Sequence, residues 1–341
     1  VPGGLFELRR DDITGWWVAV VVDREFDRSR FALPAMRVPT PDEDCQNCAE
    51  APLDRPWVRT LKPHAFTVAG SERDKREPSL ALVGDAGAWK TIAAPRNVHA
   101  PLAEVSESIV IEMLHLARSE LEAARGRGDT QVFQLVQNWG AQAGARTNHL
   151  CLDLYDLPHL PHRIGEELGG AARYVIREGV CPWCRLVADE VARRDRLLYE
   201  DAASVCFAPF ASRSPFELWV VPRHHEADFG RATDEQLTAT GETLRRVLRV
   251  LAVLDAPPYN LVLHTAPLHE RVDETFHWHW EIHPRLREIA GLELGTGLPV
   301  NPVSPEDAVE ELLAEARAHA DIDAEGVASG AGRTWDEFGR P

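Results

Sequence analysis

Apolar and polar positions along the chain follow two periods, and the two alternate in the same order in each half. Residues 16–22 are a valine-rich apolar run and read as a buried strand. The Pro-, Asp- and Glu-rich stretch 38–56 reads as a loop. Residues 101–127 read as a long amphipathic helix, with apolar Val105, Ile109, Ile111, Met113, Leu114, Leu116 and Leu121 and with Glu and Arg filling the rest of its surface. A strand over 131–138, a glycine-rich connection and a strand over 149–155 follow. The second half predicts strands over 196–199, 204–208 and 217–221, a long helix over 234–254, and strands over 259–264 and 275–283. A last helix is predicted over 305–320, and the remaining Gly-, Ala-, Asp- and Glu-rich residues read as a frayed end.

Both halves therefore run strands, long helix, strand, strand. Antiparallel strands with one long crossover helix per half predict an α+β fold of two tandem half-domains. The expected limits are 1–172 and 173–321, with 322–341 a flexible tail.

A cysteine and histidine pattern repeats with the same order. Cys45-Gln-Asn-Cys48 is followed by His99 and then by His149-Leu-Cys151-Leu-Asp153. Cys181-Pro-Trp-Cys184 is followed by His225 and then by His277-Trp-His279-Trp-Glu281. From His99 to His225 is 126 residues, and from His149 to His277 is 128. Offsets this close point to duplication of one unit.

Composition narrows the chemistry. Hydrophobic content of 44% and charged content of 27% are those of an ordinary globular protein. A net charge of −17 argues against nucleic acid or an anionic membrane as partner. A small phosphorylated ligand held by a few arginines stays compatible. No apolar run approaches the ~20 residues of a membrane span. The N-terminal residues lack a signal-peptide core, so the expected location is the cytoplasm. Cysteines there are thiols, and four of the six stand in Cys-x2-Cys pairs, which favours metal over disulfides. Cys206, in an apolar run, reads as core.

Zinc takes about four N and S ligands in a tetrahedron. One candidate centre is Cys45, Cys48, His99 and His149. The other is Cys181, Cys184, His225 or its neighbour His224, and His277. Each set is complete without water, so two structural zinc ions per chain are expected.

On a strand, residues i, i+2 and i+4 share a face. His149, Cys151 and Asp153 therefore point one way, and so do His277, His279 and Glu281. If the first of each trio ligates metal, the second is held rigidly and aimed at a pocket. An imidazole held so can attack phosphorus and split one group transfer into two steps. Asn138, Gly140, Gly144 and Arg146 precede the first trio, and their amides and guanidinium are candidates for a phosphate cradle. The competing reading of the second trio is that Trp278 and Trp280 pack in the core and the histidines face a polar interface.

With these motifs the chain resembles the galactose-1-phosphate uridylyltransferase family, the duplicated branch of the histidine-triad superfamily. Residues 7–18 are similar to the family's opening strand, and 133–144 to its "FxNxGxxAG" segment. Residues 209–219 and 221–225 are similar to its "PFxxRxPFExW" and "PxxH" strands. Residues 276–286 and 295–301 also match, and the likeness spans roughly residues 5 to 320. It implies a homodimer, a nucleotide or nucleotide sugar as ligand, and transfer of a nucleotidyl group to a sugar phosphate or to phosphate.

This sequence departs from the family pattern where the chemistry lies. The family motif His-Pro-His-x-Gln, with the middle His as nucleophile, reads His149-Leu-Cys151-Leu-Asp153 here. His64 stands at a substrate-binding Asn position, Arg24 is similar to a phosphate-binding Arg, and His264 stands where a nucleotide-contacting Asn is expected. In bacterial relatives, positions matching Glu167, His264, His277 and His279 form a further metal site, which would compete for His277. Four candidates for the catalytic group follow: Cys151 with Asp153, or His279 with Glu281. The expected function is a diverged nucleotidyltransferase acting on a nucleoside diphosphate sugar or sugar 1-phosphate. The alternatives are a non-transferase enzyme using Cys151 and an inactive nucleotide-binding protein.

Overall fold

A computed structural model describes residues 6–11, 13, 17–21, 45–73, 81–128, 130–158 and 160–318. Strands β1 (Phe6–Arg10) and β2 (Trp17–Val21) form a small sheet with β12 (Val300–Asn301), which runs parallel to β2. The first Cys pair opens a short helix α1 (Gln46–Glu50) inside the stretch expected to be a loop. Then come β3 (Trp57–Arg73), β4 (Ala81–Ala93), the long helix α2 (Glu107–Arg127), β5 (Val132–Trp139) and β6 (Cys151–Leu157). Helices α3 (His162–Glu178) and α4 (Pro182–Arg193) join the halves. The second half carries β7 (Leu197–Glu200), β8 (Ser204–Phe207), β9 (Leu218–Pro222), α5 (Asp234–Leu251), β10 (Tyr259–His264) and β11 (His279–Pro284). Helices α6 (Gly291–Thr296) and α7 (Pro305–Ala318) follow.

The strands of both halves join in one nine-stranded sheet, in the order β3-β4-β6-β5-β10-β11-β9-β8-β7. The order is palindromic in repeat counterparts: β5 meets β10, and β6, β4 and β3 lie outward on one side as β11, β9 and β8 do on the other. At the seam Val136 pairs with Val262, 126 residues further on, the same offset as between His99 and His225. Antiparallel pairing of a residue with its own counterpart places a pseudo-twofold axis through this pair.

Helix α2 starts at Glu107 rather than 101 because Ser106 adopts the extended N-cap conformation. It ends at Gly128, whose φ of 75° is the left-handed C-cap that glycine enters without penalty. In α5 the Thr233 hydroxyl accepts from Gln236 N while the Gln236 side chain accepts from Thr233 N, a reciprocal capping box.

The two sheet faces are covered differently. On one face α2, α5 and α7 pack over both halves, burying Leu114, Leu121, Leu152, Leu244, Leu261, Trp278, Trp280 and Leu312. On the other face, α3 and α4 cover only the outer second half. There Trp183 and Val187 pack on Val205, Phe207, Trp219 and Val221. Trp278 and Trp280 are core residues, as the competing reading of that strand expected. Cys206 is core too. Residue 172 lies inside α3, so the expected boundary between halves falls within a helix.

Candidate active site and metal centres

The strand pairing that builds the sheet brings each Cys-x2-Cys turn to the start of its histidine strand. In the first half Cys48 Sγ lies 3.0 Å from His99 Nε2 and 3.3 Å from His149 Nδ1. In the second, Cys184 Sγ lies 3.2 Å from His225 Nδ1 and 3.6 Å from His277 Nδ1. Each set of four donor atoms falls within 4.8 Å of one another. A tetrahedral zinc with bonds of roughly 2.3 Å to S and 2.0 Å to N would place S and N about 3.5 Å apart. The donor sets therefore fit such an ion. His149 Nε2 lies 2.9 Å from Ala94 O and His225 Nε2 lies 2.6 Å from Asp273 O. A carbonyl there fixes the tautomer that leaves Nδ1 as the lone-pair donor. Of the two adjacent histidines, His225 faces the sulfurs and His224 is exposed. Burial lowers the His149 and His277 pKa values, which favours the neutral, ligating form.

Beyond the metal histidines the halves diverge. Cys151 is half-buried on the sheet face that α2 does not cover. Burial pushes its thiol up to about 12, against a lowering hydrogen bond from Thr91. Asp153 pairs across to Thr91 and is ion-paired with Arg146 at 2.6 Å. Burial raises the Asp153 pKa, and the Arg146 charge offsets part of that. The Arg146 guanidinium lies 4.5 Å from the centre of the Trp89 ring, and Trp89 stacks on Tyr155 at 5.6 Å. Arg146 is 44% exposed, and Asn138, Val136, Asn260 and Val262 at the seam are partly exposed on the same face. Among the described residues this is the open part of the sheet.

The glycine turn differs from the expected phosphate cradle. Gly140 has φ 86° and ψ 151°, a region that only glycine enters readily. That conformation turns the loop inward. Ala143 N and Ala145 N both donate to Gly140 O, and Gly144 N donates to Ala141 O. These amides are spent within the turn and cannot also hold a phosphate. Asn138 accepts from Asn260 Nδ2 at 2.7 Å across the seam. The donor expected at this turn that remains on the exposed face is Arg146.

In the second half, His279 is 1% exposed. Its ring packs against Trp183 at 5.5 Å and Trp219 at 5.1 Å, and it stacks on His264 at 4.8 Å. His279 Nδ1 lies 2.9 Å from His277 O, which leaves Nε2 3.9 Å from Glu281 Oε1. Burial and the neighbouring His264 depress the His279 pKa to about 3. Glu281 Oε2 accepts from Arg163 at 2.6 Å, Arg213 at 2.7 Å and His283 at 2.8 Å. Burial works against the charge on Glu281, but Arg163, Arg213 and His264 hold its pKa well below the usual range. Burial also opposes the charge on His264, yet Glu167 and Glu281 outweigh it and raise it to about 9. The cavity beside His279 measures about 10 Å³, room for about one water.

These contacts decide the further metal site that the resemblance implied at Glu167, His264, His277 and His279. His277 faces Cys184 instead. His264, His279 and Glu281 approach closely enough to share an ion. However, Arg163 and Arg213 already balance Glu281, Glu217 and Glu167, with His264 as the third cation. A metal would add charge to a cluster already neutralised by arginines, so the residues do not fit one. His264 accordingly lies in this buried knot and not on the open face. Arg24 and the side chain of His64, on β3, lie outside the described residues.

Asn47, Trp183, Arg163 and Arg213 were not singled out from the sequence. Their partners are 118 (Arg163–Glu281), 104 (Asn47–Cys151), 96 (Trp183–His279) and 68 (Arg213–Glu281) residues away. The one local hint is that Asn47 and Trp183 occupy the same position of the two Cys-x2-Cys turns.

Among the described residues no helix is long and apolar enough to cross a membrane. No protein-family model matches the chain. ADP-glucose phosphorylase of Arabidopsis thaliana is 28% identical over 324 residues, 88% of this chain and 90% of that protein. Galactose-1-phosphate uridylyltransferase of Thermotoga maritima is 28% identical over 194 residues, 52% of this chain and 58% of that protein. The crystal structure of the Arabidopsis thaliana ADP-glucose phosphorylase with bound ADP-glucose superposes with a TM-score of 0.72 at 27% identity. It covers 90% of this chain and 98% of that one. Likeness in sequence over most of the chain, together with the duplicated α+β sheet, makes the chain similar to ADP-glucose phosphorylase and to the galactose-1-phosphate uridylyltransferases.

Proposed function

We propose that the protein is a diverged nucleotidyltransferase acting on a nucleoside diphosphate sugar, with its reacting site on the open face of the first half. The observation that carries this reading is the contrast in access. Cys151 is half-buried at the open sheet face beside Arg146 and Asp153, whereas His279 is buried beside a cavity of about 10 Å³. A nucleotide sugar needs a cleft of several hundred Å³. The relatives named for ADP-glucose and for galactose 1-phosphate support the substrate class.

In this reading Arg146 leaves Asp153 to meet the phosphates. The Cys151 sulfur attacks the α-phosphorus, an S–P bond forms, and the P–O bond to the sugar phosphate breaks. The thiol proton leaves with the sugar phosphate or through Asp153. A phosphate or sugar-phosphate oxygen then attacks the same phosphorus, and the S–P bond breaks. Two zinc ions, one on Cys45, Cys48, His99 and His149 and one on Cys181, Cys184, His225 and His277, act structurally by tying each turn to its strand. The enzyme works as a homodimer in the cytoplasm.

A second reading is favoured by one observation: burial pushes the Cys151 thiol up to about 12, which leaves little thiolate at neutral pH. It is a nucleotide-sugar binding protein without turnover. Intact-mass and peptide mass spectrometry after mixing with a panel of nucleotide sugars separate the two. A nucleotidyl adduct on the Cys151 peptide, absent in Cys151→Ala, is the expected result. An adduct on His279 moves the reaction to the second half. Saturable binding by calorimetry with neither adduct nor turnover establishes the binding protein instead.

A further inference from the structure

The two residues between the paired cysteines differ between the halves: Gln46-Asn47 in the first, Pro182-Trp183 in the second. The Asn47 side chain is buried against the histidine strand, and its Nδ2 donates to Cys151 Sγ at 3.2 Å. Its Oδ1 accepts from Arg59 Nη1 at 3.4 Å. Arg59 also donates to Gln46 Oε1 and pairs with Glu50 at 3.2 Å. Because a guanidinium only donates, Arg59 fixes which end of the Asn47 amide is oxygen. The N–H end is thereby left aimed at the sulfur.

Trp183 occupies the equivalent position of the second turn. It is 1% exposed, and its ring packs 5.5 Å from that of His279, the counterpart of Cys151, with Trp219 also against the imidazole at 5.1 Å. In both halves the third residue of the turn thus touches the middle residue of the strand trio. The reason is geometric. Two turn sulfurs and one strand histidine belong to the same donor set, so the turn is tied to the strand. The residue between those sulfurs is carried to a fixed place beside the residue two positions past the histidine.

We propose that the third residue of each Cys-x2-Cys turn is a positioning residue for the central residue of its own strand. Asn47 holds the Cys151 sulfur through its amide N–H, and Trp183 walls off the His279 imidazole. This position, more than the metal set itself, makes one half open and the other closed.

The test is residue-resolved labelling of the metal-loaded full chain, with metal content measured in parallel. Asn47→Leu keeps the bulk and removes the donor, and Asn47→Ala removes both. Alkylation of Cys151 by iodoacetamide at one fixed pH is expected to slow at least about fivefold in Asn47→Leu at unchanged metal content, because the N–H that stabilises charge on the attacking sulfur is gone, and to slow less in Asn47→Ala, where the space opened offsets part of that loss. Asn47→Gln, which keeps an amide donor, is expected to lie closer to the parent than Asn47→Leu. A parental or faster rate in Asn47→Leu, or slowing only where metal is lost, overturns the proposal for this half. In Trp183→Leu, carbethoxylation of His279 by diethyl pyrocarbonate is expected to rise at least about fivefold, since accessibility governs reaction of an otherwise neutral imidazole. Trp183→Phe keeps a ring over the imidazole and retains protection. A protected His279 in a folded, metal-loaded Trp183→Leu chain overturns the second half of the proposal. A kinetic arm rests on the proposed nucleotidyl transfer: Asn47→Leu lowers kcat about tenfold with KM within about twofold. The labelling arms need no substrate, so failure of the positioning role and failure of the proposed reaction are separately visible.

Discussion

The two halves share a metal pattern, a strand order and a long packed helix, yet treat the residue two positions past the metal histidine in opposite ways. In the first half that residue is a thiol under an amide, on a sheet face left uncovered among the described residues. In the second it is an imidazole packed against two indoles, beside a knot of three carboxylates and two arginines. Duplication preserves in each half the four Cys and His side chains that could hold a metal ion. It leaves the reactive position free to change once one copy suffices.

The largest expected effect tests the shared part. Cys48→Ser and Cys184→Ser should each remove about one zinc per chain by elemental analysis. Roughly 10 kcal/mol of metal binding is coupled to folding in such centres, so each should also abolish cooperative unfolding of its half by circular dichroism. Loss of metal from only one of the two variants would break the symmetry between the centres.

Next comes the difference in buried charge. Glu281→Gln leaves Arg163 and Arg213 facing a neutral amide and should cost about 3–5 kcal/mol in urea unfolding. Asp153→Asn removes one partner of a pair whose arginine is nearly half exposed, and should cost about 1 kcal/mol or less. Equal costs would mean that the first-half face is as closed as the second.

The same knot predicts a pH dependence. His264 faces Glu167 from α3, itself paired with Arg163, and Glu281 and His279 from β11. Its folded pKa is raised to about 9, above the ordinary value. Its contribution is therefore fully present below about pH 6.5 and is lost as pH rises through about 9, a change on the order of 3 kcal/mol. Unfolding free energy measured from pH 7 to pH 10 should fall, and His264→Gln should flatten that fall. In the first half the Cys151 thiol, raised by burial to about 12, adds to the fall only above about pH 9, so a slope between pH 7 and pH 9 that persists in His264→Gln would locate the titration elsewhere.

The effect on turnover is the most informative about function. Cys151→Ala should lower kcat per folded chain at least about 100-fold, or about 2.7 kcal/mol, whereas His279→Asn should change it by less than about threefold. The reverse order would exchange the roles of the halves.

Much of this comparison was legible in the sequence. The four cysteines and four histidines of the two centres stand at offsets that only a repeat explains, and the structure brings both sets together. Helical spacing located α2 and α5, and period-two alternation located β5, β6 and β10 within a residue or two. Helices α3 and α4 were missed, although Pro182 at the first turn and Gly179 at the cap are ordinary helix signals. The glycine turn was read as a row of free amides because a sequence does not show that Gly140 O captures two of them.

The sequence by itself determined the duplication, the two Cys and His sets that the fold gathers and the substitution of Cys151 for the expected histidine, because each is a matter of residue type at a spacing. Tertiary structure decided that the two halves fuse into one sheet through Val136 and Val262, and that Asn47 reaches Cys151 while Trp183 shuts in His279. It also decided that Arg163 and Arg213 fill the place of a further metal. These contacts join residues about 70 to 130 positions apart, where local propensity carries no information. Only the packing of turns and helices on the finished sheet sets which side chains meet.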